Sequence, residues 1–447
     1  MTSKSGADLP DQQELSTMVS QALEMAQSLG ATSAEAGMSY ASGLNVTVRM
    51  DEVETLEYNR DRSLGVTVYL DHKKGSASTS DWRPHAIEEV VKAAIAIAKY
   101  AGEDPYSGLA DADRMAKDIL DLDLYHPWGL DAEQAIELAT QCEQAARSYQ
   151  GITNSEGASV STRSGISLYG NSHGFVGAYN STRHSISASV IADDNNGMQR
   201  DYWYTMARDA NDMDAADAVG HRAAKRTLKR RNARKLKTMK VPLIFHAEVA
   251  SSLFQHFISA ISGGNLYRQS SFLLDHLGKQ IFPEFMQIRE QPHLAKALGS
   301  AAYDQEGVQT TARSIVDKGI LQGYVLSSYS ARKLGMETTG NAGGVHNLQI
   351  EPSDTDFDGL LRQMDTGLIV TELMGQGINI VTGDYSRGAA GYWVENGEIV
   401  YPVEEITIAG NLSDMFKNVV QIANDVDYRG NIHTGSLLVE NMTIAGD

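Results

Sequence analysis

The chain has 447 residues, 42% of them hydrophobic, and sets 38 Lys and Arg against 57 Asp and Glu for a net charge of −19. That length calls for two or three domains and buries enough surface to fold without staples; the single thiol, Cys142, cannot close an intrachain disulfide, which fits a reducing compartment. The acidic balance speaks against a general nucleic-acid binder. The polar start MTSKSGADLPDQQEL and the short apolar runs speak against a secretion signal or a membrane span, so a soluble cytoplasmic protein is expected.

From 11 to 29, Leu15, Met18, Val19, Ala22, Leu23 and Ala26 recur at helical spacing and Gly30 stops the run. Three β-like runs follow, SAEAGMSYAS, LNVTVRMDEVETLEYNR and LGVTVYLDHKKGSASTSD, divided by Gly-containing turns. Pro84 then opens a helix over about 85–100, completing an α+β unit at 1–110. An irregular stretch leads to a helix at 131–149, with Asp131 as its N-cap and Gly151 at its stop. Further strands and a helix at 213–230 complete a second α+β unit at 111–235. The two units share an element order but no residue-level repeat.

The remainder, 236–447, is β-rich and dense in glycine. Asn396 and Gly397 between two apolar runs mark a hairpin, and a second is expected around 317–319. Helices are expected only at about 247–261, 356–364 and 413–423. The predicted fold class is therefore α+β: N-terminal helix and antiparallel-sheet units followed by a β-rich, barrel-like C-terminal domain.

Several patterns invite a chemical reading. Asp354, Asp356, Asp358, Gly359 and Asp365 take calcium-loop spacing, but Pro352 stands where an incoming helix is needed, and acidic residues equally suit a helix start. Ser164 and Ser386 lack the nucleophile elbow G-x-S-x-G. His173 and His184 flank a strand pair and read as ordinary structural residues. The basic run HRAAKRTLKRRNARKLKTMK at 221–240 could grip an acidic partner; without interleaved aromatics it reads better as a solvated helix face and linker.

The stretch VPLIFHAEVASSLFQHFISAISGG at 241–264 reads as a strand entering an apolar helix, with His246, Glu248 and His256 in suggestive order. A zinc-peptidase helix offers two histidines one turn apart beside a general base. Here Ala250 and Ser251 stand four and five positions after His246. On a continuous helix Glu248 would diverge from His246 by roughly 200°, and His256 would lie ~15 Å along the axis, so no zinc site follows. An active metalloprotease using His433 with His246 has no recognisable ligand spacing behind it.

The strings VETLEYNRDRSLGVTVYLDHKKGSASTSD, GFVGAY, LYRQSSFLLDHLGKQIF, YDQEGVQT, SSYSARKLG, TGNAGG and GDYSRGAAGYWVENGEIVYPVEEITIAGNL, spread over nearly the whole chain, resemble the TldD/PmbA metalloprotease family and its PmbA (TldE) branch. The resemblance implies a TldD/TldE heterodimer that cleaves short unfolded peptides, in peptide maturation and antitoxin degradation, and a homodimer when the partner is absent. An older family label implies modulation of DNA gyrase, a regulatory binding role without proteolysis. The catalytic TldD-type subunit carries H-E-x-x-x-H and a later cysteine ligand. Laid on this sequence, His246 is kept, Ala247 replaces the base, Ser251 replaces the second histidine, and no cysteine lies downstream of Cys142. The resemblance thus implies a chain without catalytic or metal-ligating residues and without a cofactor of its own, zinc belonging to the partner.

Overall fold

The protein is described by a computed structural model over residues 9–194 and 197–446. Helix α1 (Gln12–Ser28) starts at Asp11, whose carboxylate accepts the Gln13 and Glu14 N–H groups, and it buries Leu15, Val19, Ala22, Leu23 and Ala26. Strands β1 (Ser33–Arg49), β2 (Glu52–Leu70) and β3 (Lys73–Thr79) follow, then α2 (Pro84–Tyr100). The expected breaks at Gly43 and at 61–63 are absent, since both lie inside long strands, and the chain reverses instead at Met50 and Asp51, both at positive φ. Gly43 is there for packing: a Cβ at that position would stand 2.5 Å from the Thr162 carbonyl oxygen of the next strand.

The second unit repeats the order, with α3 (Ala132–Arg147), β4 (Asn154–Asn171), β5 (Val176–Asp194), β6 (Gly197–Ala207) and α4 (Ala216–Lys229). Asp131 and Gln134 form a reciprocal capping box at the start of α3. All six strands form one antiparallel sheet, β3-β2-β1-β4-β5-β6, joined where β1 pairs with β4 from Glu35 opposite Asn171 to Val48 opposite Ala158. The strand order reads outward from that seam alike on both sides. The α1/α2 pair covers one end of the sheet and α3/α4 the other, each over its own apolar cluster.

Strand β7 (Met239–Phe245) enters the C-terminal region and leads into α5 (Ala247–Ala260), followed by the short α6 (Gly263–Tyr267). Then come β8 (Ile288–Glu290), β9 (Arg313–Asp317), β10 (Ile320–Leu321), α7 (Ser328–Leu334), β11 (Leu348–Ile350) and α8 (Phe357–Met364). The chain ends with β12 (Gly367–Met374), β13 (Asp384–Glu395), β14 (Glu398–Asn411), α9 (Leu412–Lys417), β15 (Val419–Ile422), β16 (Ile432–His433) and β17 (Leu437–Ala445). The order β14-β13-β12-β7-β17 closes on itself because β17 also pairs with β14, giving the expected barrel. A smaller sheet, β10-β9-β8-β11-β16, lies beside it.

Helix α5 is the hub of this region. Phe254 and Phe257 meet Phe282, and Phe257 meets Phe416, in the largest apolar cluster of the chain. Two sequence expectations fail here. The helix expected at 413–423 stops at Lys417 and gives way to β15, whose β-branched Val419, Val420 and Ile422 suit a strand. The short α7, held by a capping box of Ser327 and Ser330, was not expected at all. Among the described residues no helix is long and apolar enough to cross a membrane.

Candidate functional site

His246 follows β7 directly and is the N-cap of α5, not one of its helical residues, with φ −58° and ψ 148°. Its backbone N–H donates to the Val370 carbonyl at 3.0 Å, and its ring packs edge-on against Phe357 at 5.4 Å between centroids. The Ala247 N–H donates to Ser436 Oγ at 3.0 Å, and that hydroxyl donates to Asp425 at 2.6 Å. The extended backbone at His246 corrects the sequence geometry. An N-cap side chain is free of the 100° helical step, so His246 Nδ1 comes within 3.5 Å of Glu248 Oε1.

Proximity does not make a metal site. Glu248 already accepts a 2.7 Å bond from Arg226 of α4, and Arg226 also pairs with Asp201 of β6 at 3.4 Å. His246 Nδ1 is buried without a hydrogen-bond partner, and burial holds its imidazole below the usual pKa. One neutral imidazole beside a carboxylate held by a guanidinium, with Ala247 and Ser251 alongside, is not a donor set for zinc. Among the described residues no group of three His, Cys, Asp or Glu side chains could hold a metal ion. His256 faces Tyr385, and His433 Nε2 bonds to the Gly430 carbonyl at 3.1 Å with its ring against Tyr428.

The outward face of α5 lines a groove of two adjoining cavities. One, of about 290 Å³, is walled by Asp201, Arg226, Arg230, Glu248, Ser252 and Arg387. The other, of about 280 Å³, is walled by Tyr204, Ser251, Ser252, Gln255, Asp427 and Arg429. They share Glu248 and Ser252, and β6, the edge strand of the six-stranded sheet, forms one bank of both. A larger cavity of about 410 Å³ lies elsewhere, between the outer face of β4 and β5 and the loops carrying Tyr303, Asp304, Gly343 and His346. Burial pushes the Asp304 carboxyl up to about 7, while its oxygens accept the Glu306, Val308 and Ala342 N–H groups.

The basic run at 221–240 is solvated along its lysines, with Lys225, Lys229, Lys235, Lys237 and Lys240 exposed, while its arginines make contacts within the chain. Arg222 stacks over Trp203 at 3.5 Å, Arg230 pairs with Glu372 at 2.5 Å, Arg231 donates to the Asp193 carbonyl, and Arg234 lies over Tyr401 at 4.4 Å. Four arginines thus tie α4 and the segment after it to β5, β6 and the barrel. Of the other sequence candidates, Asp356 caps α8 through the Gly359 N–H, His184 bonds Thr162 and the His126 carbonyl, and His173 bonds the Ala110 carbonyl from the β4–β5 turn. Sequence reasoning missed the Arg226, Asp201 and Glu248 cluster, whose members lie on three elements. It also missed Arg387, whose only visible signal was an arginine inside an apolar strand.

Acid will destabilise this protein through its buried histidines before its ordinary surface carboxylates titrate. Burial holds His184, His246, His256, His293 and His433 below the ordinary imidazole range. Their folded pKa lies below the unfolded value of about 6.5, so as pH falls through that value the unfolded chain takes up protons that the folded chain refuses. Asp304, and Glu35 with its carboxyl raised by burial, work in the opposite sense. Urea titrations should show stability falling by roughly 1–3 kcal/mol from pH 7.5 to 5.5. A rise over that range would mean that the two acids outweigh the histidines.

Comparison with known proteins matches residues 34–98, 125–231 and 238–446 to the first, central and C-terminal domains of PmbA/TldA metallopeptidases. Metalloprotease PmbA of Escherichia coli O157:H7 is 52% identical over 97% of this chain and 96% of its own. A PmbA homolog of Haemophilus influenzae is 51% identical over 98% and 97%. The crystal structure of a proposed modulator of DNA gyrase from Bacteroides thetaiotaomicron superposes with a TM-score of 0.92 at 29% identity, covering 97% of this chain and 99% of that one. TldE from Thermococcus kodakarensis, at 19% identity, shares the fold with a TM-score of 0.85 over 96% and 100%. The chain belongs to the PmbA/TldD metallopeptidase family, and relatives that share half of its residues are named PmbA.

Proposed function

We propose that this chain is the non-catalytic, metal-free subunit of a heterodimeric zinc metalloprotease. In this reading it presents short unfolded peptides to a TldD-type catalytic partner, in peptide maturation or antitoxin degradation. The observation that carries it is the state of α5 beside an open groove. At the positions where the family's catalytic helix has a base and a second histidine stand Ala247 and Ser251, and the nearby Glu248 is held by Arg226 at 2.7 Å. The groove itself remains, with β6 as the outermost strand of its sheet along one bank, where Arg429 holds the Tyr204 carbonyl and an extended peptide can lie alongside. The regulatory reading, a gyrase modulator without proteolysis, drew on the basic run at 221–240. The run's arginines Arg222, Arg226, Arg230 and Arg234 are engaged within the chain, so a docking patch there would rest on the exposed lysines of the run.

The test is to purify the chain alone and with a TldD-type partner, then measure bound zinc and cleavage of unstructured peptides. The lone chain should hold no stoichiometric zinc and turn over no peptide, and the pair should do both. Zinc and turnover in the lone chain, or an inert pair, would end this reading. Size measurement of the same samples also shows whether the chain forms a homodimer by itself.

A further inference from the structure

Strand β13 carries Tyr385 and Arg387 two residues apart, hence on one face of the strand, and that face meets α5. The Tyr385 ring lies edge-on to His256 of α5 at 6.1 Å. The Arg387 guanidinium acts on both neighbours, working against the rise that burial imposes on the Tyr385 hydroxyl and adding to the fall that burial imposes on the His256 imidazole. Each of the three has a polar atom buried without a hydrogen-bond partner: Tyr385 Oη, Arg387 Nε and His256 Nε2. Tyr385 Oη lies close enough to Arg387 to respond to it, but buried polar groups in folded proteins are satisfied with few exceptions, so Arg387 Nε and His256 Nε2 beside it mark an absent partner.

Charge says what that acceptor is. Arg387 lines the cavity of about 290 Å³ at one end of the α5 groove. The other arginines there are neutralised: Arg226 by Asp201 and Glu248, Arg230 by Glu372, and Arg200 by Glu156. Among the described residues Arg387 has no carboxylate; it donates to the Leu373 carbonyl at 3.3 Å and sits within hydrogen-bonding reach of the Tyr385 hydroxyl, which leaves other N–H groups of its fork open. A half-buried guanidinium without a counter-ion is costly to keep, and it is relieved by an anion that accepts two parallel N–H bonds. Asp201, Glu248 and Glu372 on the same walls disfavour a doubly charged phosphate, whereas a singly charged carboxylate matches Arg387. Val249 and Leu373 beside it offer apolar wall for an adjoining side chain.

We infer that this end of the groove is a carboxylate-binding subsite, in which Arg387, flanked by Tyr385 and His256, receives a carboxylate of an extended peptide lying along α5. The inference rests on the peptide-presenting role proposed above. Two sources supply the same chemistry, the peptide's C-terminus and an internal acidic side chain.

The test uses the full-length chain and three fluorescent, unstructured peptides. The first has a free C-terminus and no acidic residue, the second is its C-terminal amide, and the third is that amide with one internal Glu. At least one carboxylate-bearing peptide should bind about ten- to a hundredfold tighter than the plain amide, the range expected for a hydrogen bond to a charged group. Which one gains identifies the source. Arg387→Gln should abolish the gain, and Arg387→Lys, which keeps the charge and loses the fork, should restore part of it. Equal binding of all three peptides, no binding at all, or a preference that survives in Arg387→Gln would overturn the subsite. Cleavage assays with the catalytic partner, run on the same peptides, separate the two levels. A pair that cleaves all three equally rejects the subsite alone, and a pair that cleaves none rejects the proposed function beneath it.

Discussion

Arg226→Ala should lower the stability of the chain by about 3–5 kcal/mol, the cost of leaving buried charges unpaired. Arg226 is 18% exposed and its partners Asp201 and Glu248 are 5% and 15% exposed, so solvent cannot screen the carboxylates left behind. Burial works against the Arg226 charge, but the two carboxylates outweigh it and hold the guanidinium more firmly protonated than usual. The three residues lie on α4, β6 and α5, so the loss should also loosen the seat of the sheet against the barrel. Urea unfolding monitored through Trp203, which lies 5.2 Å beneath Arg226, reads the effect. A double-mutant cycle with Glu248→Gln should give a coupling above about 1 kcal/mol. If Arg226→Ala costs less than about 1 kcal/mol, the cluster is solvated and the arginines become available for a partner after all.

The architecture was legible where local signals and tertiary demands agree. Asp11, Pro84 and Asp131 start helices in the sequence and do so in the structure, and Asn396 and Gly397 turn the hairpin of β13 and β14. It was illegible where glycine serves packing. Gly43 read as a turn, but it lets β1 and β4 approach; Gly75 and Gly220 similarly admit the backbones of α2 and α3 at distances where a Cβ would clash. Turn-forming and packing glycines look alike along one chain, because the close neighbour is distant in sequence.

The site was legible by subtraction only. Ala247 and Ser251 showed what the helix lacks, but the geometry of His246 was misread because periodicity does not show where a helix begins. One residue of displacement, from helical to N-cap, moves a side chain by about 100° and brings His246 to Glu248. The arginine ties were hidden for a different reason. Their partners Asp193, Asp201, Trp203, Glu248, Glu372 and Tyr401 are scattered over more than two hundred positions, and no spacing rule joins them.

Glu290→Ala should be comparably damaging, at about 3–5 kcal/mol, and its damage should concentrate in one loop. Glu290 is 1% exposed on β8; Oε1 accepts from Asn341 Nδ2 at 2.7 Å and the His346 N–H at 2.8 Å, and Oε2 accepts from Arg313 Nε at 2.8 Å. Arg313 also donates to Asn341 Oδ1 and to the Tyr324 carbonyl. This network pins the loop through Gly340, Gly343 and Gly344, all at positive φ, where no side chain anchors the backbone. Removing the carboxylate strands a guanidinium, an amide and a backbone N–H at once. Glu290→Gln should fall between wild type and alanine, because its amide oxygen can still serve Asn341 and His346 while its NH₂ group opposes Arg313. Hydrogen exchange at 340–346 should accelerate in both variants, more in alanine, before any change in the six-stranded sheet. Uniform acceleration across the chain would show instead that the loop and the barrel unfold as one unit.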